Sequence, residues 1–252
     1  MEVRQLDISF DRIADRYDTS RSMPEEVMEE IMRAMGKLLP KDALILDAGV
    51  GTGRYALPMQ ARGFEVIGVD ISEKMLEKAR EKGVQDLLRG NLGKLPFKDK
   101  AFDHSISVHV LHLIEDWRGA LDEIGRVTKN TFMSVASDKS DSPAQEVRDA
   151  YEQACMELGH DPRHPGLRER ELPDIIEPDE TLFVTAYEEP VDVPEMIDEF
   201  SARSFSNQWM VPEDIHAQAI ALLRERFEGV EELIERQRFS IIVWNADRLR
   251  GL

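Results

Sequence analysis

The chain has 252 residues, 42% of them hydrophobic, enough to bury one substantial core, and its single cysteine, Cys155, excludes an intramolecular disulfide or a cysteine-based zinc site. Its formal charge is −18, from 50 acidic against 32 basic residues. With no basic patch to offset it, that charge repels phosphate backbones, which excludes a nucleic-acid partner and suits a cationic ligand. Met1 to Asp7 contain no apolar signal core and no stretch approaches a membrane span, so a cytoplasmic chain with no membrane partner and no metal is expected.

In chain order, the first predicted element is helical. Ser22 and Glu25 are spaced as a capping box, Pro24 suits a first turn, and Val27, Met28, Ile31, Met32 and Met35 recur at helical spacing. Short apolar runs then alternate with amphipathic segments. Strands are predicted at 43–46, 64–69, 84–89, 102–110 and 131–136. Helices are predicted at 54–62, from Ser72 to Lys82, and around Trp117, Leu121, Ile124 and Val127. The mixed-sign run from Glu73 to Lys82 reads as a solvated helix face. Near-continuous apolar strands separated by helices imply a parallel sheet covered on both faces.

Beyond residue 138 the pattern changes to a helix at 144–158, a strand at 181–187, helices at 193–202 and 212–237, and a last strand at 239–244. The expected fold is α/β: a Rossmann-like, doubly wound, mostly parallel seven-stranded sheet, with N-terminal helices and a helical cap inserted near the C-terminus. No repeat or long linker divides the sequence. One domain over 1–252 is expected, with an N-terminal helical segment at 1–40, a ligand-binding core at 41–137 and the cap at 190–236.

The chemistry concentrates after the first strand. Asp47-Ala48-Gly49-Val50-Gly51-Thr52-Gly53 stands where a doubly wound fold places its ligand crevice, and a helix N-terminus should follow with unpaired N–H groups. A dinucleotide fingerprint needs a glycine at position 54, and the residue is Arg54, which disfavours NAD. Asp70 ends the second strand, placed to accept hydrogen bonds from the hydroxyls of an adenosine ribose; Ser72 caps the next helix.

These motifs, in order, resemble the class I S-adenosylmethionine-dependent methyltransferases, of the group similar to the ubiquinone/menaquinone-biosynthesis C-methyltransferases. The resemblance covers residues 8–137. Phe10 to Asp18 resembles the helix that folds over the cofactor, Leu44 to Arg54 the glycine motif, and Val69 to Ser72 the ribose motif. Leu95-Pro96-Phe97 and Ala101-Phe102-Asp103 resemble the lead into strand four, and Ser107 to Leu113 the motif that closes it. The resemblance implies S-adenosylmethionine as cofactor and methyl transfer to a small molecule. It implies that Gly49 and Gly51 line the methionine portion, with Tyr17 and Arg21 near its carboxylate, and that Asp47 is among the cofactor-binding residues. Asp70 would hold the ribose, Ile71 and Met75 would flank the adenine, and Val108 would contact the cofactor. Asn91, with Leu92 beside it, stands where many relatives have an Asp that binds the adenine amino group; its carbonyl is a neutral acceptor.

A base is needed only for a poorly nucleophilic acceptor. His109 and His112 follow strand four, and His112 is the candidate catalytic residue. Glu115 and Asp116 are placed to cap the next helix. Arg203, Phe205, Ser206, Asn207, Trp209 and Met210 either line an acceptor pocket or pin the cap in place. Two other readings use the same fold: a non-catalytic cofactor-binding module, and an NAD-dependent oxidoreductase.

Overall fold

The structure, a computed structural model, describes residues 23–252. Helix α1 (Glu25–Leu38) buries Val27, Ile31, Met32, Ala34 and Met35, close to the predicted stripe. It opens at Pro24 without a side-chain cap. Glu25 is therefore its first residue, not the third of a capping box; Ser22 lies outside the described residues.

Strands β1 (Leu44–Ala48), β2 (Glu65–Asp70), β3 (Leu87–Arg89), β4 (Phe102–Ile106), β5 (Thr128–Asp138), β6 (Glu180–Asp192) and β7 (Glu232–Asn245) form one seven-stranded sheet, in the order β3-β2-β1-β4-β5-β7-β6. The pairs β1–β2, β1–β4, β2–β3 and β4–β5 are parallel. The chain runs outward from β1 to β3, then returns to β4 on the other side of β1. That reversal opens a crevice at the carboxyl ends of β1 and β4, where open α/β sheets take ligands.

Helices α2 (Ala56–Gln60), α3 (Glu73–Lys82) and α4 (Trp117–Val127) connect these strands. As predicted, Ser72 caps α3, its Oγ accepting the Met75 N–H at 3.2 Å. Asp116 caps α4 through the Gly119 N–H at 2.9 Å. Helix α4 buries Trp117, Ala120, Leu121, Ile124 and Val127 on one stripe. Arg126, near its end, reaches back to the carbonyls of Leu95 and Phe97 and to Asp99, fixing the loop into β4.

Several boundaries differ from expectation for local reasons. Residues 51–55 form turns, so α2 is only Ala56–Gln60. Strand β3 begins at Leu87 because the N–H groups of Gly83 and Val84 close the end of α3, on Arg80 and Ala79 carbonyls. Strand β4 stops at Ile106, before His109 turns the backbone to φ +59°. Residues 232–237 are strand rather than helix: α7 (Glu213–Arg226) ends, the chain turns through Gly229, and β7 starts at Glu232.

The chain forms two compact units. The sheet unit comprises residues up to 136 with 165–185 and 239–252; the helical unit comprises 137–164 and 186–238. The sheet unit's core includes Leu46, Val69, Phe102, Leu121, Ile124 and Trp244. Trp244 lies 5.7 Å from Phe132, ring to ring, and its Nε1 donates to the Ile176 carbonyl at 2.9 Å, so the large ring is buried with its polar atom satisfied. The helical unit packs α5 (Gln145–Glu157), α6 (Val193–Ser201) and α7 around Val147, Tyr151, Cys155, Phe200, Ile220 and Leu223. The stretch 190–236, expected as a cap, belongs to this unit together with 137–164. Among the described residues no helix is long and apolar enough to cross a membrane, and no cluster of three or more His, Cys, Asp or Glu is placed to hold a metal.

Candidate functional site

The glycine turn leaves β1 at the crevice. Gly49 and Val50 both donate to the Val69 carbonyl, at 2.8 and 3.0 Å, and Gly53 donates to the Val50 carbonyl at 2.9 Å. Gly51 donates to Oδ2 of Asp70 at 2.9 Å. These four N–H groups are used in shaping the turn. Gly51 has φ +54°, a conformation costly for L-residues, and a Cβ there would meet only the Met75 Cε, at 3.9 Å. The backbone thus presents a bare, open surface at this point.

Asp70 ties the end of β2 to the turn. Its Oδ1 accepts the Ser72 N–H at 2.9 Å while Oδ2 holds Gly51. Burial raises its pKa, against the N–H groups of Ser72, Gly51 and Ile71, which lower it. A carboxylate has about four acceptor sites, so capacity remains for a ligand hydroxyl. Asp47, in β1, is buried and its pKa is pushed up to about 7, by desolvation first and by the Asp70 charge second. Two neighbouring buried carboxylates give this rim an acidic character that suits a cation.

Beside them, Ile71 is 43% exposed and offers an apolar face to a flat ring. Met75, on α3, is buried and borders Gly51. Asn91 Oδ1 accepts the Gly93 N–H at 2.8 Å, so its carbonyl already has one partner. Leu92 and Val108 are buried. Tyr17 and Arg21 lie outside the described residues.

After β4 the chain forms a single 3-10 turn, Leu111–Leu113, that carries His112. The His112 side chain is mostly buried, with Nδ1 3.9 Å from Oε2 of Glu169. Glu169 also accepts the N–H groups of Val110 and Leu111, at 2.5 and 3.0 Å. Sequence reasoning missed this residue. Arg168-Glu169-Arg170-Glu171 looks like a solvated charge run, and only the tertiary fold buries its first acid against the turn after β4.

Within the helical unit, Arg203 donates to the carbonyls of Gln208 and Val211 and pairs with Glu213. Trp209 Nε1 donates to the Arg203 carbonyl at 2.8 Å, and Phe205 packs on Phe200, 5.1 Å between ring centroids. Arg203, Phe205 and Trp209 thus organise their own loop. Ser206 is buried and pairs with His164, whereas Met210 is 57% exposed.

The residues of the sheet unit fit S-adenosylmethionine. Asp70 suits ribose hydroxyls, Ile71 an adenine face, Gly51 a close backbone approach, and Asp47 with Asp70 a cationic ligand. Residues 46–131 match the family model described as a methyltransferase domain. The chain is 32% identical over 146 residues to a malonyl-[acyl-carrier protein] O-methyltransferase of Serratia marcescens, covering 58% of this chain and 56% of that one. It is 33% identical over 156 residues to a demethylmenaquinone methyltransferase of Geobacillus kaustophilus, covering 56% and 66%. The first of these matches spans little more than half of its relative's length. A solved SAM-dependent methyltransferase of Thermotoga maritima shares the fold, with a TM-score of 0.53 at 21% identity over 94% of this chain and 98% of that one. Over residues 46–131 the chain thus resembles a methyltransferase domain, and its fold is that of the solved methyltransferase.

Proposed function

We propose that this chain transfers the methyl group of S-adenosylmethionine to a small-molecule acceptor, in the cytoplasm. The observation that carries the reading is Asp70, which grips the Gly51 N–H with one oxygen and the Ser72 N–H with the other. It thereby joins the glycine turn and the end of β2 into a single cradle. S-adenosylmethionine supplies an electrophilic methyl group on a sulfonium, so the protein's tasks are to align the acceptor and exclude water. In this reading Asp70 holds the ribose and Ile71, Met75, Asn91 and Leu92 border the adenine. Asp47, Gly49, Gly51 and Val108 lie along the methionine and sulfonium portion, with Tyr17 and Arg21 at its carboxylate.

Turnover tests the reading. The purified chain, given S-adenosylmethionine and a panel of phenols, carboxylic acids, β-diketones, amines and thiols, should release S-adenosylhomocysteine with at least one of these classes. Cofactor binding with no demethylated product from any of them would contradict catalysis and leave a binding module.

A further inference from the structure

Glu169 is a deeply buried carboxylate, its side chain 6% exposed, and its two oxygens face different groups. Oε1 accepts the backbone N–H groups of Val110 and Leu111, whereas Oε2 stands 3.9 Å from His112 Nδ1. The two segments are locked together. The Gly166 N–H donates to the His112 carbonyl at 3.0 Å, and a Cβ on Gly166 would come within 2.1 Å of the Leu111 carbonyl oxygen. Burial pushes the Glu169 carboxyl up, while the facing His112 and His109 rings, when charged, and the Val110 N–H bring it down. Clamping two peptide N–H groups needs only one neutral oxygen. Keeping an ionised carboxylate in the interior costs several kcal/mol, and its second oxygen is spent on an imidazole.

We propose that Glu169 and His112 form a carboxylate–imidazole dyad, with Glu169 as positioning residue and His112 as proton acceptor, and that the methyl acceptor is a nucleophile that must lose a proton, a hydroxyl or an acidic carbon. The inference rests on the methyltransferase reading above. A carboxylate facing Nδ1 favours the tautomer with the proton on Nδ1 and the lone pair on Nε2. The acceptor passes its proton to Nε2 as its electron pair forms the bond to the methyl carbon. The methyl–sulfur bond breaks with its pair left on sulfur, giving the neutral thioether. The positive charge that leaves sulfur reappears on the imidazolium, where Glu169 offsets it, and the imidazolium then gives its proton to water. The 3.9 Å separation is longer than a direct hydrogen bond, as is common before substrate closes a site.

Nitrogen-15 NMR of the His112 ring tests the dyad, with His112→Gln to assign the signals. The wild-type ring should carry its proton on Nδ1. Glu169→Gln keeps a carbonyl for Val110 and Leu111 but turns an NH2 group toward Nδ1, and should shift the ring to the Nε2–H tautomer. Carbethoxylation of His112 by diethyl pyrocarbonate, mapped by mass spectrometry, should slow about tenfold or more in that variant, because the reactive lone pair has moved. A wild-type ring protonated on Nε2 overturns the proposal, as does an unchanged tautomer or an unchanged reaction rate in the variant. The wild-type tautomer decides alone if the variant does not fold. Calorimetry with S-adenosylmethionine on the same wild-type sample separates the two layers. Binding with the wrong tautomer overturns the dyad only, whereas no binding overturns the methyltransferase reading and the acceptor class with it.

Discussion

The sheet unit and the helical unit treat buried charge differently. In the helical unit Glu235, 4% exposed at its side chain, is neutralised by Lys139 and by Arg148 at 2.6 Å, and the Tyr151 hydroxyl meets His216 Nδ1 at 2.7 Å. In the sheet unit Asp47 and Asp70 stand at strand ends with backbone N–H groups and each other for company, and both are held above the ordinary carboxylate range by burial. The first arrangement stabilises a fold. The second gathers carboxylates raised by burial at strand ends, a pattern that suits a cationic ligand. The matched methyltransferase domain, residues 46–131, falls within the sheet unit, so the shared chemistry and the strained carboxylates coincide.

The largest expected effect breaks the helical unit and spares the other. Glu235→Ala leaves Lys139 and Arg148 facing each other without an anion and should cost about 3–5 kcal/mol of stability. Cofactor affinity, measured below the melting transition, should not change. Equal losses in stability and affinity would mean that the two units are not energetically distinct.

Asp47 gives the opposite signature. Its folded pKa of about 7 lies above the ordinary aspartate value of 3.8, so the folded state binds more protons than the unfolded chain between these values. Its contribution to stability is full below pH 4 and is lost as pH rises toward 7, by roughly 3 kcal/mol. Asp47→Asn lacks this titration. The variant should melt higher than wild type at pH 8, with the advantage shrinking toward pH 4. Parallel melting curves across that range would remove Asp47 from the account.

How far the sequence disclosed these regions follows the same division. The glycine turn, Asp70 and the Ser72 cap were legible because each depends on chain neighbours or on the carboxyl end of a recognisable strand. Strand ends were less so: the end of β4 is set by the backbone of His109, and the early start of β7 by the turn at Gly229, neither of which alters apolar spacing. Glu169 was not legible. It acts on Val110 and Leu111, which precede it by 59 and 58 positions, and nothing in its local charge pattern marks it as buried. Arg203 was open to either an acceptor-lining or a structural role, and its guanidinium donates to its own loop's carbonyls.

The central claim is that the Asp70 cradle binds S-adenosylmethionine, and titration calorimetry tests it most directly. Wild type should bind S-adenosylmethionine with no competition from NAD at comparable concentration. Asp70→Ala should weaken that binding by about 1.5–3 kcal/mol, since a charged acceptor is lost. Preferential binding of NAD, or an Asp70→Ala variant with unchanged affinity for S-adenosylmethionine, would contradict the account.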